Sequence, residues 1–247
     1  MAAGSIIGLN LELLIVGESW MEDQIILIDK PAGISSFGVV AKVRGALRAE
    51  FGHKIKVGHT GTLDPFATGL LILLSGKMTK KSNEFLKLDK TYEATLKLGE
   101  TSTTGDPEGE IRPYENIAEV PNLKKVQEVL ASFVGKVTQT VPRYSAVKIN
   151  GQRAYKLARR GEEFEAPTRE VTIYRLEILE YNYPELRIRC EVSSGTYIRA
   201  LAEDIGEKLG TGAYLTALRR TRIGDNKIED AQTLGCFLEK NDYNVGK

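Results

Sequence analysis

The sequence predicts one domain of mixed α/β structure, because strand-like and helix-like patterns alternate irregularly along the chain. The 247 residues suffice for one large domain with its own core. Short apolar or alternating runs, typical of strands, occupy residues 24–29, 69–75, 90–98 and 185–192. Apolar residues at helical spacing predict helices after Ser35 or Ser36 and over 122–133, 200–209 and 213–219. No internal repeat or long linker divides the sequence.

Composition excludes several classes of protein. Hydrophobic residues make up 42% and charged residues 27%, which is typical of a globular chain, and no apolar run reaches the roughly 18 residues that span a bilayer. A structural zinc site needs about four ligands close together. The chain has only Cys190, Cys236, His53 and His59, with no CxxC pair. We therefore expect no metal and a reducing, cytoplasmic location.

The glycine-rich segment 58–71, GHTGTLDPFATGLL, presents a single carboxylate, Asp64. Gly58, Gly61 and Gly69 permit tight turns, and Pro65 disfavours a helical conformation at Asp64. The segment lacks the GK[ST] ending of a phosphate-binding Walker A loop. A functional carboxylate is one interpretation, but on pattern alone an aspartate that caps a turn through its own backbone is the commoner alternative.

Tyrosines and arginines supply further candidates. Tyr197 and Arg199 follow an alternating run and would share one face if strand geometry continued. On pattern alone, however, a tyrosine at the edge of the core and an arginine in a surface salt bridge are the favoured interpretation. Tyr92 alone would be interpreted as a core residue. The stretch 143–160 carries six basic residues, two tyrosines and no acid, which suits RNA phosphates, or an exposed amphipathic helix. Smaller basic groups lie at 42–56 and 219–222, whereas 100–115 is expected to be a solvated acidic loop.

These segments, in this order, resemble the TruB family of tRNA pseudouridine synthases. The resemblance covers roughly residues 24–235. Besides the 58–71 segment, it rests on five further blocks: DKPAGISS (29–36), KTYEA (90–94), VPRYSAVKINGQRAY (141–155), SSGTYIRAL (193–201) and LRRTRIG (218–224). The family fold is of the α+β class, a mixed and mostly antiparallel sheet flanked by helices and loops.

The resemblance implies a set of roles. Asp64 would attack the target uridine, uridine 55 in the T-loop of tRNA, with Arg199 as its partner, Tyr92 stacking on the base and Tyr197 packing in the pocket. His59 would enter the T-loop and hold the uridine flipped out. Supporting or RNA-contacting roles fall to Lys30, Gly58, Gly61, Thr62, Arg143, Lys148, Arg153, Arg219 and Arg220. An isomerisation needs neither cofactor nor metal, and we expect a monomer whose partner is the tRNA T-arm.

The predicted organisation is an N-terminal extension over 1–22, a catalytic domain over 23–235 and a short tail over 236–247. Met21 is a candidate for the true start. Many relatives carry a PUA-type RNA-binding domain after the catalytic part, which we expect to be missing or reduced here. Two alternatives remain: a synthase acting on another RNA, such as the guide-RNA-dependent ribosomal relatives, and a non-catalytic RNA chaperone. The chaperone would not need Asp64, Tyr92, Tyr197 and Arg199 together.

Overall fold

The computed structural model describes residues 22–145, 147–149 and 151–241. The predicted N-terminal extension and the start at Met21 therefore lie outside the described residues, apart from Glu22. None of the helices in these ranges is long and apolar enough to cross a membrane.

Strands and short helices alternate along the described chain. The strands are β1 (Ile25–Lys30), β2 (Val57–His59), β3 (Thr68–Ser75), β4 (Lys90–Leu98), β5 (Glu100–Ser102), β6 (Ile111–Pro113), β7 (Gly135–Thr140), β8 (Lys148–Ile149), β9 (Gln152–Arg153), β10 (Thr168–Asn182), β11 (Glu185–Val192), β12 (Ala213–Ile223), β13 (Asn226–Lys227) and β14 (Gln232–Thr233). The helices are α1 (Ser36–Phe51), α2 (Ser82–Leu86), α3 (Leu123–Ala131), α4 (Ala154–Arg159), α5 (Ile198–Leu209) and α6 (Leu234–Lys240). Two 3₁₀ helices cover Gly76–Lys81 and Ile228–Asp230.

One large sheet organises the described chain. Its strands follow the order β14-β1-β3-β12-β4-β11-β10-β7, with β2 paired to β3 and β13 to β12. The pairs β1–β14 and β3–β12 are parallel, and the others in this sheet are antiparallel. The predicted fold class, a mixed and mostly antiparallel sheet flanked by helices, is confirmed.

The strand β3 is buried on both faces, which explains its continuous apolar sequence. Leu71 and Leu73 pack in a cluster with residues of α1 and α6, and Leu70, Ile72 and Leu74 pack in a cluster on the opposite face. A larger cluster joins α3 and α5 to β4, β11 and β12. The glycine-rich segment 58–71, which carries Asp64, thus continues at its C-terminal end into the most buried strand of the sheet.

Strands with clear alternation were predicted well. The predicted strands 90–98 and 185–192 coincide with β4 and β11. Ser35 caps α1, since its side chain accepts a hydrogen bond from the Gly38 N–H at 3.0 Å. The predicted helices at 122–133 and 200–209 correspond to α3 and α5.

The helix predicted over 213–219 is wrong, because this segment belongs to β12. Its backbone pairs along the length of β4, from Ala213 opposite Leu98 to Ile223 opposite Lys90. These long-range backbone hydrogen bonds outweigh the weak local preference of a short apolar run, whose helical and strand patterns are hard to distinguish.

The predicted boundary after residue 235 is also wrong, because it falls inside α6. Phe237 is fully buried, and Leu234 and Leu238 join it in the cluster beneath α1. Thr233 caps the helix by accepting from the Cys236 N–H at 3.1 Å. Phe237 and Leu238 are therefore part of the core, and α6 packs against the domain.

Phe237→Ala should lower the free energy of unfolding by about 3–5 kcal/mol, because it empties a buried aromatic site. Urea unfolding followed by circular dichroism measures this loss. The exposed neighbour Glu239 offers the control, since Glu239→Ala removes no buried group. Equal midpoints for the two variants would contradict the packing of α6 into the core.

Candidate active site

Asp64 lies in the loop between β2 and β3, on the wall of a cleft of about 860 Å³. The Ser36 hydroxyl of α1 fixes this loop by accepting from the Leu63 N–H at 2.8 Å and donating to the Leu63 carbonyl at 2.9 Å. The Asp64 carbonyl accepts from the Ala67 N–H at 3.1 Å, so the backbone makes the turn. The carboxylate pairs with Arg199 instead of capping that turn.

Lys30, at the end of β1, ties the neighbouring turn to this loop. Its side chain is fully buried and donates to the carbonyls of Ile34 at 2.7 Å, Pro31 at 2.8 Å and Pro65 at 3.2 Å. Burial lowers the pKa of Lys30 to about 8, against the opposing effect of Asp64. Lys30 therefore supports the loop from the interior of the protein and does not line the cleft.

Arg220 fixes the other side of the loop. It is 1% exposed, and its guanidinium donates to the carbonyls of Leu70 at 2.8 Å and Gly61 at 3.1 Å. Gly69 makes this approach possible, since its φ is +104° and a Cβ there would lie 2.3 Å from the Arg220 carbonyl oxygen. Only glycine fits where β3 and β12 meet.

The expected basic cluster at 219–222 is therefore not an open positive surface. Arg219 pairs with Asp29 at 2.8 Å, and Arg222 lies 3.6 Å from Glu191. Arg220 is enclosed by the loop carbonyls that it binds. Each of these guanidinium groups is thus engaged by an acceptor of the same fold.

A buried network connects Asp64 to a second aspartate through Arg199. The Arg199 Nε lies 3.1 Å from Asp64 Oδ2, and its Nη1 lies 3.3 Å from Asp106 Oδ2. Nη1 and Nη2 also donate to the carbonyls of Thr104 at 2.8 Å and Tyr144 at 2.9 Å. Because every side of the guanidinium is held, Arg199 has one orientation from which to bind Asp64.

Asp106 was missed by the sequence analysis, which expected a solvated acidic loop. It is 3% exposed and accepts from the Thr104 hydroxyl at 2.6 Å. Glu108 of the same loop also lines the cleft. The available signal was the Asp-Pro pair between Gly105 and Gly109, which repeats the Asp-Pro of the 58–71 segment.

Burial raises the pKa of Asp64 above its usual value, and the negative charge of Asp106 adds to this rise. Arg199 and Lys30 act in the opposite direction. Burial therefore has a larger effect on this pKa than Arg199, which favours the ionised carboxyl. Arg199 and Lys30 thus stabilise the charged form of Asp64 in a buried site that disfavours charge.

Both candidate tyrosines line the same cleft as Asp64. Tyr92 lies on β4, opposite Cys190 and Arg220 of the neighbouring strands, and is 7% exposed. Tyr197 immediately precedes α5, so the assumption that strand geometry continues to Arg199 is wrong. The turn into α5 nevertheless brings Tyr197 and Arg199 to one wall of the cleft.

His59 ends β2, beside the cleft-lining residues Gly61 and Thr62. Its Nδ1 accepts from the Gly61 N–H at 3.3 Å, and both burial and Arg220 lower its pKa. We infer a neutral ring with its proton on Nε2. A Cβ on the adjacent Gly58 would have no heavy atom within 4 Å, so space is open there.

The basic stretch 143–160 is not one amphipathic helix. Its described residues include the paired strands β8 and β9 and the short α4, and the cleft is lined by Tyr144, which precedes β8, and by Tyr155 and Arg159 of α4. Arg143 lies over the Phe164 ring at 5.1 Å. Lys148 and Arg153 are exposed on the hairpin. No group of three His, Cys, Asp or Glu residues within the described ranges is arranged to hold a metal.

Asp106→Asn should lower the pKa of Asp64, because it removes a nearby negative charge that also pairs with Arg199. Carboxyl ¹³C NMR measures the titration, with Asp64→Asn identifying the signal. Glu110→Gln is the matched control, since Glu110 pairs with Arg112 at 3.0 Å instead. An unchanged or higher pKa in Asp106→Asn would contradict the electrostatic coupling of the two aspartates.

Comparison with known proteins identifies the family. The profile described as TruB family pseudouridylate synthase (N terminal domain) matches residues 48–198, and that of the tRNA pseudouridylate synthase B C-terminal domain matches 199–242. The tRNA pseudouridine synthase B of Phocaeicola vulgatus is 46% identical over 225 residues, which are 90% of this chain and 94% of that protein. That of Aquifex aeolicus is 46% identical over 219 residues, covering 87% and 74%.

Solved structures agree. The chain aligns with Cbf5 in an archaeal box H/ACA sRNP Nop10-Cbf5 complex with a TM-score of 0.64 and 29% identity, over 90% of this chain and 54% of that one. A Cbf5-Nop10-Gar1 complex gives a TM-score of 0.65 and 30% identity, over 90% and 56%. The chain thus spans about half the length of these solved proteins. From the family match over more than half of its residues, and from relatives of nearly equal length, we conclude that the chain belongs to the TruB family of pseudouridine synthases.

Proposed function

We propose that this protein is a tRNA pseudouridine synthase that isomerises uridine 55 in the T-loop, with Asp64 as the nucleophile acting on a flipped-out uridine. The observation that carries the proposal is the carboxylate of Asp64, paired with a buried arginine at 3.1 Å on a cleft that both tyrosines line. The volume of about 860 Å³ is in the range of small-molecule sites and admits a single nucleotide.

The reaction requires a group that holds the sugar or the base while the glycosidic bond is exchanged. The N1–C1′ bond breaks, the uracil rotates, and a C5–C1′ bond forms. C5 then loses its proton and N1 gains one, so atoms and electrons balance without an external reactant. A carboxylate is a competent nucleophile toward either electrophilic carbon, C1′ or C6. The proposal holds for both.

Arg199 keeps the nucleophile in place. Its guanidinium is fixed by Asp106 and by the carbonyls of Thr104 and Tyr144, so little reorganisation is needed when Asp64 reacts. The ion pair favours the carboxylate over the carboxylic acid, and only the carboxylate is an effective nucleophile. Lys30 and Arg220 act one layer further out, on the backbone of the loop.

The aromatic residues handle the base. Tyr92 and Tyr197 provide surfaces on which the flipped uracil stacks, and Tyr92 carries a hydroxyl for proton movement. Flipping costs a few kcal/mol of lost stacking. His59, neutral and beside open space at Gly58, offsets this cost by filling the gap in the T-loop. Gly61 and Thr62 let the RNA approach the loop backbone.

The RNA backbone is assigned to the exposed basic residues. Arg143, Lys148 and Arg153 are exposed on the segment that also carries the cleft-lining residues Tyr144 and Tyr155, and they suit phosphate contacts. Arg219 and Arg220 act on the RNA only indirectly, because Arg219 pairs with Asp29 and Arg220 holds the Gly61 carbonyl of the Asp64 loop. The proposed partner is the T-arm of tRNA, bound by a monomer.

A guide-RNA-dependent activity is the competing proposal, because the solved neighbours include Cbf5 from box H/ACA particles. Sequence identity favours tRNA, because it is 46% with the Phocaeicola vulgatus tRNA pseudouridine synthase B and 29% with the archaeal Cbf5 chain.

Asp64→Asn should bind tRNA as tightly as wild type and form no pseudouridine, a loss of about a thousandfold or more. Mapping of position 55 on a tRNA transcript and a filter-binding titration measure the two properties. Asp225→Asn, an exposed aspartate, should retain full activity. Activity in Asp64→Asn, or modification at another position, would overturn the assignment.

His59→Ala should slow modification of folded tRNA about tenfold, equivalent to ~1.4 kcal/mol, and slow that of a minimal hairpin with a loosened T-loop much less. Single-turnover rates on both substrates test this difference. His53→Ala is the control, because His53 lies on the surface beside Glu22 at 3.0 Å. Equal losses on the two substrates would rule out a role in flipping.

A further inference from the structure

Two residues on neighbouring strands converge on the turn before α5. Gln139 of β7 and Arg169 of β10 are direct cross-strand partners. Gln139 is 1% exposed, whereas Arg169 lines the cleft. The sequence analysis gave neither residue a role, and both contact the segment that carries Tyr197.

Gln139 binds both backbone groups of Tyr197. Its Oε1 accepts from the Tyr197 N–H at 3.0 Å, and its Nε2 donates to the Tyr197 carbonyl at 3.2 Å. A side-chain amide offers one acceptor and donors in the same plane, so it pairs with a backbone unit at two points. Because Tyr197 has no side-chain capping bond at the start of α5, this pairing defines where the helix begins.

Arg169 holds the ring of Tyr197 and the turn before it. Its guanidinium carbon lies 5.2 Å from the ring centroid, and Nη1 donates to the Gly195 carbonyl at 3.1 Å. Gly195 has a φ of +84°, and a Cβ there would lie 2.9 Å from Nη1. The guanidinium therefore occupies the space that any larger residue at this turn would need.

We propose that Gln139 and Arg169 are positioning residues, which fix the backbone and the ring of Tyr197 against the uridine. The proposal rests on the function assigned above. The two contacts are complementary, since a hydrogen-bonded backbone still permits rotation of the ring and a stacked ring still permits movement of the turn. Arg199 lies two residues further on, so the same support also orients its approach to Asp64.

Steady-state kinetics on a tRNA transcript test this role with Gln139→Ala, Gln139→Glu, Arg169→Met and Arg169→Lys. A small displacement of a reacting group lowers rates by up to about a hundredfold. We expect kcat to fall about tenfold to a hundredfold in Gln139→Ala and Arg169→Met, with KM changed less than about threefold. Arg169→Lys should retain an intermediate rate, because a lysine still places a cation over the ring.

Matched controls come from the same strands. Glu170→Gln removes an exposed charge beside Arg169, and Thr138→Ala changes the residue before Gln139. Both should keep the wild-type kcat. Circular dichroism gives the folded fraction of each variant. If Gln139→Ala does not fold, Gln139→Glu carries the test, because it keeps the acceptor for the Tyr197 N–H and loses the donor to the carbonyl.

A double-mutant cycle with Tyr197→Leu separates positioning from other roles. If the pair acts through Tyr197, Gln139→Ala or Gln139→Glu should cost less than about twofold in the Tyr197→Leu background. Additive losses would overturn the proposal, as would a raised KM with unchanged kcat. A wild-type rate in Tyr197→Leu would overturn the role of Tyr197 itself. A normal kcat in the Gln139 and Arg169 variants, together with a slow Tyr197→Leu variant, would overturn only the positioning role proposed for Gln139 and Arg169.

Discussion

The ion pair between Asp64 and Arg199 is the constraint around which the site is built. A guanidinium this deeply buried is stable only when its charge and its N–H groups find partners. Asp106 supplies the second negative charge, and two backbone carbonyls accept the remaining hydrogen bonds. The result is a network of three charged residues with one net negative charge, in which burial raises the pKa of Asp64 and Arg199 limits the rise.

The sheet determines where these charged residues meet. The strand β3, buried on both faces, begins directly after the loop of Asp64, while β12 lies parallel beside it and directs Arg220 into that loop. The close approach at Gly69 aligns the two strands. Tyr92 reaches the cleft from β4, on the other side of β12. The chemistry therefore depends on strand register, since a shift by one residue would turn Tyr92 to the opposite face.

How far the sequence predicts this arrangement depends on how local the information is. The alternation in β4 and β11 identified both strands, and Ser35 identified the start of α1. β12 could not be identified, because its backbone partners lie in β4, far away in sequence. Asp64, Tyr92, Tyr197 and Arg199 were predicted by resemblance and do line one cleft. Asp106 was not predicted. An aspartate within an acidic stretch is expected to be solvated, and the sequence does not show that Arg199, which is distant in sequence, pairs with it.

The basic residues show why charge counted along a sequence is a poor guide to RNA contact. Lys30 and Arg220 are cations near the site, yet both are buried and bind the carbonyls of the Asp64 loop. Arg219 is engaged by Asp29. A phosphate could reach Lys30 or Arg220 only by displacing the hydrogen bonds that hold this loop in shape. Lys148, by contrast, is exposed on the β8–β9 hairpin and does not line the cleft. The buried cations of this fold thus shape the loop of Asp64, and exposed cations such as Lys148 lie apart from that loop, so a positive charge near Asp64 does not by itself indicate a phosphate contact.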